Sequence, residues 1–111
     1  MALIKACGAA NPTRTVVVYV GGSAPAVAAW RDAVPAILFS WYCGQEGGHA
    51  LARLLFGEAN PSGKLPFTIP LRQEDLPPFD PWAESAEYGY YHGMTLFDKR
   101  ALPVAYPFGP S

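Results

Sequence analysis

Apolar residues are unevenly distributed along this chain, and their spacing divides it into recognisable elements. Ala2 to Ala10 is rich in alanine and sets Leu3, Ile4 and Cys7 at helical intervals, so a helix is predicted there. Asn11-Pro12 ends it, because a proline disfavours helical geometry in the residue before it. Thr15 to Val20 is β-branched and aromatic with no polar alternation, the pattern of a strand covered on both faces, as in a parallel sheet. Gly21-Gly22-Ser23 closes this run with a turn in which backbone can pass close to other groups. A second buried run, Ala36 to Tyr42, is launched by Val34-Pro35. Gly44-Gln45-Glu46-Gly47-Gly48 follows, and then a helical segment from His49 to Phe56. Its Leu51, Leu54 and Leu55 fall at i, i+3 and i+4, a single stripe expected to face the sheet. Gly57 is placed to stop this helix. Strand, glycine-rich turn and helix make half of a right-handed crossover unit, so residues 1–60 are expected to be α/β.

From Asn60 the pattern changes. Asn60-Pro61-Ser62-Gly63 reads as a turn, and Leu65 to Pro70 as a short strand whose two prolines favour an edge position. Leu76 to Trp82 is expected to be extended loop, since Pro77, Pro78 and Pro81 offer no backbone donors. Tyr88-Gly89-Tyr90-Tyr91-His92-Gly93 is aromatic and glycine-rich, and the chain closes on an apolar tail from Val104 to Gly109. Residues 61–111 are thus expected to form an edge strand and a Pro/aromatic-rich extended part. Nine of the 12 prolines lie there, which is what separates this portion from the periodic front.

Composition narrows the possibilities further. The 111 residues suffice for one domain of ordinary size, with half of them hydrophobic and 15% charged, which suits a packed core and argues against disorder across the whole chain. Eight basic and nine acidic residues leave a formal charge of -1, so no basic field exists to hold nucleic acid. The apolar runs are shorter than the roughly 18–20 residues of a membrane span, and no secretory leader follows Met1. The expectation is a soluble chain with no nucleic-acid or membrane partner and an undeclared compartment. Cys7 and Cys43 are too few and too far apart for a zinc cluster; a disulfide is conceivable, but two small buried hydrophobes are the simpler expectation.

Several familiar motifs fail on inspection. Five residues separate Gly57 from Gly63-Lys64, and Leu65 stands where a phosphate loop needs a hydroxyl. Asn60-Pro61-Ser62 is no glycosylation acceptor, because proline occupies its middle position. His49 and His92 lack a second ligand at suitable spacing, and Ser40 is not in a nucleophile elbow. The Gly44 to Gly48 segment is more informative. It lies where a buried strand hands over to a helix, the edge of an open sheet at which ligands bind. Glu46 also suits the positive end of a helix dipole, so a plain structural role competes with a cleft-lining one. The aromatics, 14% of the chain, can stack on sugar rings or fill a core.

Trp41-Tyr42-Cys43-Gly44-Gln45-Glu46-Gly47-Gly48-His49-Ala50-Leu51-Ala52, running into Leu55-Phe56-Gly57-Glu58-Ala59-Asn60-Pro61-Ser62-Gly63-Lys64-Leu65-Pro66, resembles the C-terminal domain of glycoside hydrolase family 3. Val16 to Pro25 with Trp30, Tyr91-His92-Gly93 through Phe97-Asp98, and Tyr106-Pro107-Phe108-Gly109 extend the resemblance over essentially the whole chain. It implies an α/β sandwich with a mostly parallel sheet, of which this chain holds a part. It implies the activity of β-glucosidases and their relatives, which hydrolyse O-glycosyl bonds with retention and use two carboxyl groups. By the same resemblance, the nucleophilic Asp belongs to an N-terminal barrel domain. The acid/base Glu lies before the stretch matched by Leu3. Neither motif is found here.

No residue of the chain therefore inherits a catalytic role. The expectation is an incomplete hydrolase, inactive alone, acting in the complete enzyme on a β-linked glucoside or other small saccharide. No metal or organic cofactor is implied. Trp41, Tyr42, Gln45 and Glu46 are expected nearest the saccharide cleft. A non-catalytic carbohydrate-binding or interaction module is the alternative, and a subunit completed by a separately encoded barrel is a third reading. Two departures from the family stand out: Cys43, where Pro or Gly is usual, and Pro110-Ser111, where a Gly-Leu-Ser-Tyr run usually follows.

Overall fold

A computed structural model describes residues 1–109. In chain order the elements are helix α1 (Ala2–Ala10), strand β1 (Val16–Tyr19), a 3-10 turn (Arg31–Ala33), strand β2 (Ala36–Phe39) and helix α2 (Gly47–Leu55). Strand β3 (Ile69–Pro70), a second 3-10 turn (Gln73–Asp75), helix α3 (Met94–Arg100) and strand β4 (Val104–Tyr106) complete the set. They fall into two compact units. The first comprises Met1–Ser23 with Ala29–Gly63; the second takes Ala24–Ala28 with the chain from Lys64 onward.

The first unit is α/β, built on a parallel pair. β1 and β2 lie in register from Val16↔Ala36 to Tyr19↔Phe39, and the Ser40 N–H donates to the Tyr19 carbonyl at 2.9 Å, extending the ladder past the strand end. Branched and aromatic side chains suit this pleated geometry. The strands are only half-covered, however, with Val16 exposed and its neighbours intermediate. The sequence pattern of strands buried on both faces is therefore not satisfied within this unit.

α1 forms as its alanine content dictates, but its apolar stripe is not what packs. Leu3 is exposed, and the one buried residue of the helix is Gly8. A Cβ there would collide with the Ala33 carbonyl oxygen. The missing side chain thus lets the helix rest against the 3-10 turn, beside buried Trp30 and Val34. Cys7 lies on this helix and is exposed, as is Cys43; neither forms a disulfide. The expectation of two buried thiols is corrected. Burying Gly8 turns Cys7 away from the core, and Cys43 sits in the turn ahead of α2.

α2 starts two residues earlier than the spacing of its leucines suggests and ends as its sequence predicts. Gly57 has φ +78°, and the Glu58 N–H donates to the Arg53 carbonyl at 2.8 Å while the Gly57 N–H donates to that of Leu54 at 3.3 Å. This reverse-turn cap satisfies carbonyls that the helix leaves open.

The second unit is organised around Val27, Ile69, Leu96, Phe97 and Ala105, all buried, with Val27, Ile69 and Phe97 fully so. β3 and β4 pair antiparallel, with an irregularity between Ile69 and Pro70. The strand expected over Leu65 to Pro70 shrinks to its last two residues, Ile69 and Pro70, and Pro66 has no N–H to donate to a longer ladder. Residues 76–82 are irregular, with an Asx turn in which the Trp82 N–H donates to Asp80 Oδ1 at 2.9 Å. Asp75 is buried and accepts two hydrogen bonds from Arg72, at 2.8 and 3.2 Å. The guanidinium, hydrogen-bonded to Asp75 and near Glu74, is held above its usual pKa.

Helix α3 has no counterpart among the elements expected from the sequence. Only two turns long, it carries Leu96 and Phe97 as adjacent core residues and ends in Lys99 and Arg100, favourable at the negative end of the dipole. It uses the same cap as α2: the Leu102 N–H donates to the Phe97 carbonyl at 2.9 Å and that of Ala101 to Asp98 at 3.2 Å. Here the left-handed residue is Ala101, at φ 50°. Pro110 and Ser111, where the ending departs from the family, lie outside the described residues.

Two outcomes follow from these backbones. Ala101→Gly removes a left-handed penalty of roughly 1–2 kcal/mol, offset in part by unfolded-state entropy, and is expected to raise stability by about 0.5–1 kcal/mol in urea unfolding. Gly8→Ala forces a methyl against backbone that cannot swing aside and is expected to cost about 1–3 kcal/mol in the same measurement.

Candidate saccharide cleft edge

Parallel pairing delivers the ends of β1 and β2 to one side of the first unit. Val20-Gly21-Gly22-Ser23 leaves one strand there and Ser40-Trp41-Tyr42-Cys43 the other. Three rings form a row across the pair: Tyr19 meets Phe39 edge-on at 5.8 Å, and Phe39 stacks on Trp41 at 5.9 Å with 30° between planes. Trp41 has φ 55°, a left-handed conformation that is a genuine outlier for a bulky residue. The chain folds back there. Tyr42, the next residue, is 78% exposed.

Beyond it, the Gly47 N–H donates to the Gly44 carbonyl at 3.0 Å, so Gln45 and Glu46 are the central residues of a hydrogen-bonded turn. Both are exposed. Glu46 occupies the N-cap position of α2 without capping it through its side chain. Instead its carboxylate accepts from His49 Nδ1 at 2.7 Å, an exposed pair at the positive end of the helix. The Cys43 thiol donates to the Ser40 carbonyl at 3.0 Å and lies 2.9 Å from the Ser40 hydroxyl. A Cβ on Gly47 would strike the Cys43 Cβ, so the turn closes only because residue 47 has no side chain.

Between β2 and α2 lies an apolar recess of about 140 Å³, lined by Leu38, Phe39, Ser40, Cys43, Ala50, Leu51 and Leu54. Leu51 and Leu54 do face the strand, as the helical stripe predicts, but across a gap. Leu55 at the end of the stripe is exposed, as is Phe56.

All four cleft candidates belong to one contiguous strand-to-helix connection at the carboxyl end of β2. What sequence reasoning missed is their partner: Gly21 and Gly22, arriving from β1, against which Tyr19 and Tyr42 lie. The signal was a Gly-Gly pair directly after a strand, read only as a turn. The segments forming this edge, residues 19–23 and 39–49, carry a single carboxylate, Glu46. Among the described residues, no three His, Cys, Asp or Glu side chains come together in a way that could hold a metal ion. Among those residues, too, no helix is long and apolar enough to cross a membrane.

The family model for the glycosyl hydrolase family 3 C-terminal domain matches residues 1–110. The chain belongs to glycoside hydrolase family 3. It is 40% identical to an exo-alpha-(1->6)-L-arabinopyranosidase of Bifidobacterium longum over 98% of this chain and 15% of that protein. It is 36% identical to a probable beta-glucosidase I of Aspergillus flavus over 89% of this chain and 12% of that protein. Against beta-glucosidase B of Emericella nidulans the identity is 38%, over 96% of this chain and 14% of that protein. No solved structure matches. This family-3 chain therefore spans about one-seventh or less of the relatives it resembles.

The Glu46–His49 pair is the charged feature of this edge whose energetics are simplest to isolate. Glu46→Ala removes a favourable charge from the start of α2 and is expected to cost about 0.3–1 kcal/mol at low salt, with the loss shrinking at high salt. Urea unfolding at two ionic strengths measures this directly.

Proposed function

We propose that this chain is a non-catalytic part of a retaining glycoside hydrolase. In the complete enzyme, Trp41, Tyr42, Gln45 and Glu46 line the cleft that receives a β-linked glucoside or other small saccharide. One observation carries the reading. A glycosidase family matches the chain nearly end to end, and the edge where ligands bind in open α/β sheets holds exposed aromatic and polar side chains together.

Retention needs a carboxylate nucleophile and a second carboxyl acid/base, about 5–5.5 Å apart across the scissile bond. This edge offers one carboxylate, and its oxygen is engaged by His49. In this reading the attack and the protonation fall to groups outside the chain. A barrel domain supplies the nucleophile, and an acid/base Glu comes from sequence preceding the stretch matched here. The arabinopyranosidase and the β-glucosidases among the relatives act, by name, on different sugars.

A second reading, a saccharide-binding module without catalytic partners, draws support from the exposed rings of Trp82 and Tyr90 in the second unit. One assay addresses catalysis. The purified chain, incubated with p-nitrophenyl β-glucoside, is expected to release no nitrophenol above the buffer rate. Release that co-elutes with the chain through two chromatographic steps overturns the non-catalytic reading.

A further inference from the structure

Two glycines at the carboxyl end of β1 serve as seats for two tyrosines. A Cβ on Gly21 would stand 2.6 Å from the Tyr19 hydroxyl oxygen, and one on Gly22 would stand 2.9 Å from Cε2 of Tyr42. Neither glycine has a left-handed φ, so what matters at these positions is the space of a missing side chain. Tyr42 lies with Cε2, Cζ and its hydroxyl against bare backbone, and most of the residue remains open to solution.

Trp41 and Tyr42 have different tasks. The left-handed backbone at Trp41 folds the chain back at the strand end. Consecutive rings then go to different places: Trp41 onto Phe39, and Tyr42 onto Gly22. Trp41 is committed to the aromatic row, whereas Tyr42 offers a free ring. An aromatic face carries negative quadrupolar charge that attracts the polarised C–H groups of a pyranose. A ring already seated on rigid backbone loses little conformational freedom when a ligand arrives. Gln45 and Glu46, in the adjoining turn, supply amide and carboxylate groups suited to sugar hydroxyls.

We propose that Tyr42 is the ring on which a pyranose of a β-linked saccharide stacks, and that Gly22 is its positioning residue. The proposal rests on the cleft reading given above and narrows it to one contact.

The test is a chemical-shift titration of the full 111-residue chain with cellobiose, following the amides of residues 41–46 and the Tyr42 ring protons. The parent chain is expected to show saturable shifts there. Tyr42→Phe keeps the stacking face and is expected to retain the affinity, whereas Tyr42→Ala is expected to weaken it about five- to tenfold. In Gly22→Ala the new methyl meets the exposed end of the Tyr42 side chain and no backbone atom. The melting temperature is therefore expected to be unchanged, while binding falls as in Tyr42→Ala. Combining the two substitutions is expected to add no further loss, because both remove the same contact.

Undiminished shifts at Gln45 and Glu46 in Tyr42→Ala overturn the platform and leave the cleft reading standing. Parent-like binding by Gly22→Ala overturns the positioning role. No shifts at residues 41–46 in the parent chain overturn the cleft reading, and the platform with it.

Discussion

The parallel ladder between β1 and β2 is the constraint on which the first unit depends. Parallel strands leave a sheet on the same side, whereas an antiparallel pair sends its ends in opposite directions. Four in-register pairs, from Val16↔Ala36 to Tyr19↔Phe39, therefore suffice to bring Gly21-Gly22 to the turn that follows Phe39. The aromatic row, the seat of Tyr42 and the polar turn at Gln45-Glu46 all follow from that shared exit. A one-residue slip would move Tyr19 away from Phe39 and reverse which face each side chain meets.

That ladder is short, and its surroundings are open. Val16 and the end of the α2 stripe are exposed, and an apolar recess separates Leu51 and Leu54 from β2. Apolar surface of this kind marks a place where other protein is normally packed. The strand composition agrees, since residues with no polar alternation are suited to cover on both faces. In the reading proposed above, the remaining polypeptide of the hydrolase provides that cover.

The two helix ends show how the same local chemistry is met with different residues. α2 and α3 both close with paired bonds back to carbonyls of their last turns, and both need a left-handed residue to do so. Gly57 adopts that backbone without penalty; Ala101 carries a Cβ against it. At Trp41 a bulky residue takes the same region of backbone space, with its ring stacked on Phe39. The strain at Trp41 coincides with the candidate cleft, where unusual backbone is most often retained.

Local pattern was enough to read α1, β1 and α2 near their observed ends and the start of β2, because helical and extended periodicities are properties of neighbouring residues; the run expected to Tyr42 stops at Phe39, ahead of the left-handed backbone at Trp41. The Gly57 stop and the family signature from Trp41 to Pro66 were legible for the same reason. α3 was signalled only by Lys99-Arg100 and the following Pro103, since its core residues, Leu96 and Phe97, are adjacent and give no helical period. The exposure of both cysteines, the resting of α1 on Gly8 and the left-handed turn at Trp41 were not legible. Each depends on what residues distant in the chain place nearby. The sequence by itself determined the class of fold, the family and the position of the candidate edge. Only the tertiary structure decided that Gly22 lies beneath Tyr42, because steric fit between two strand ends is a relation in space that no local pattern encodes.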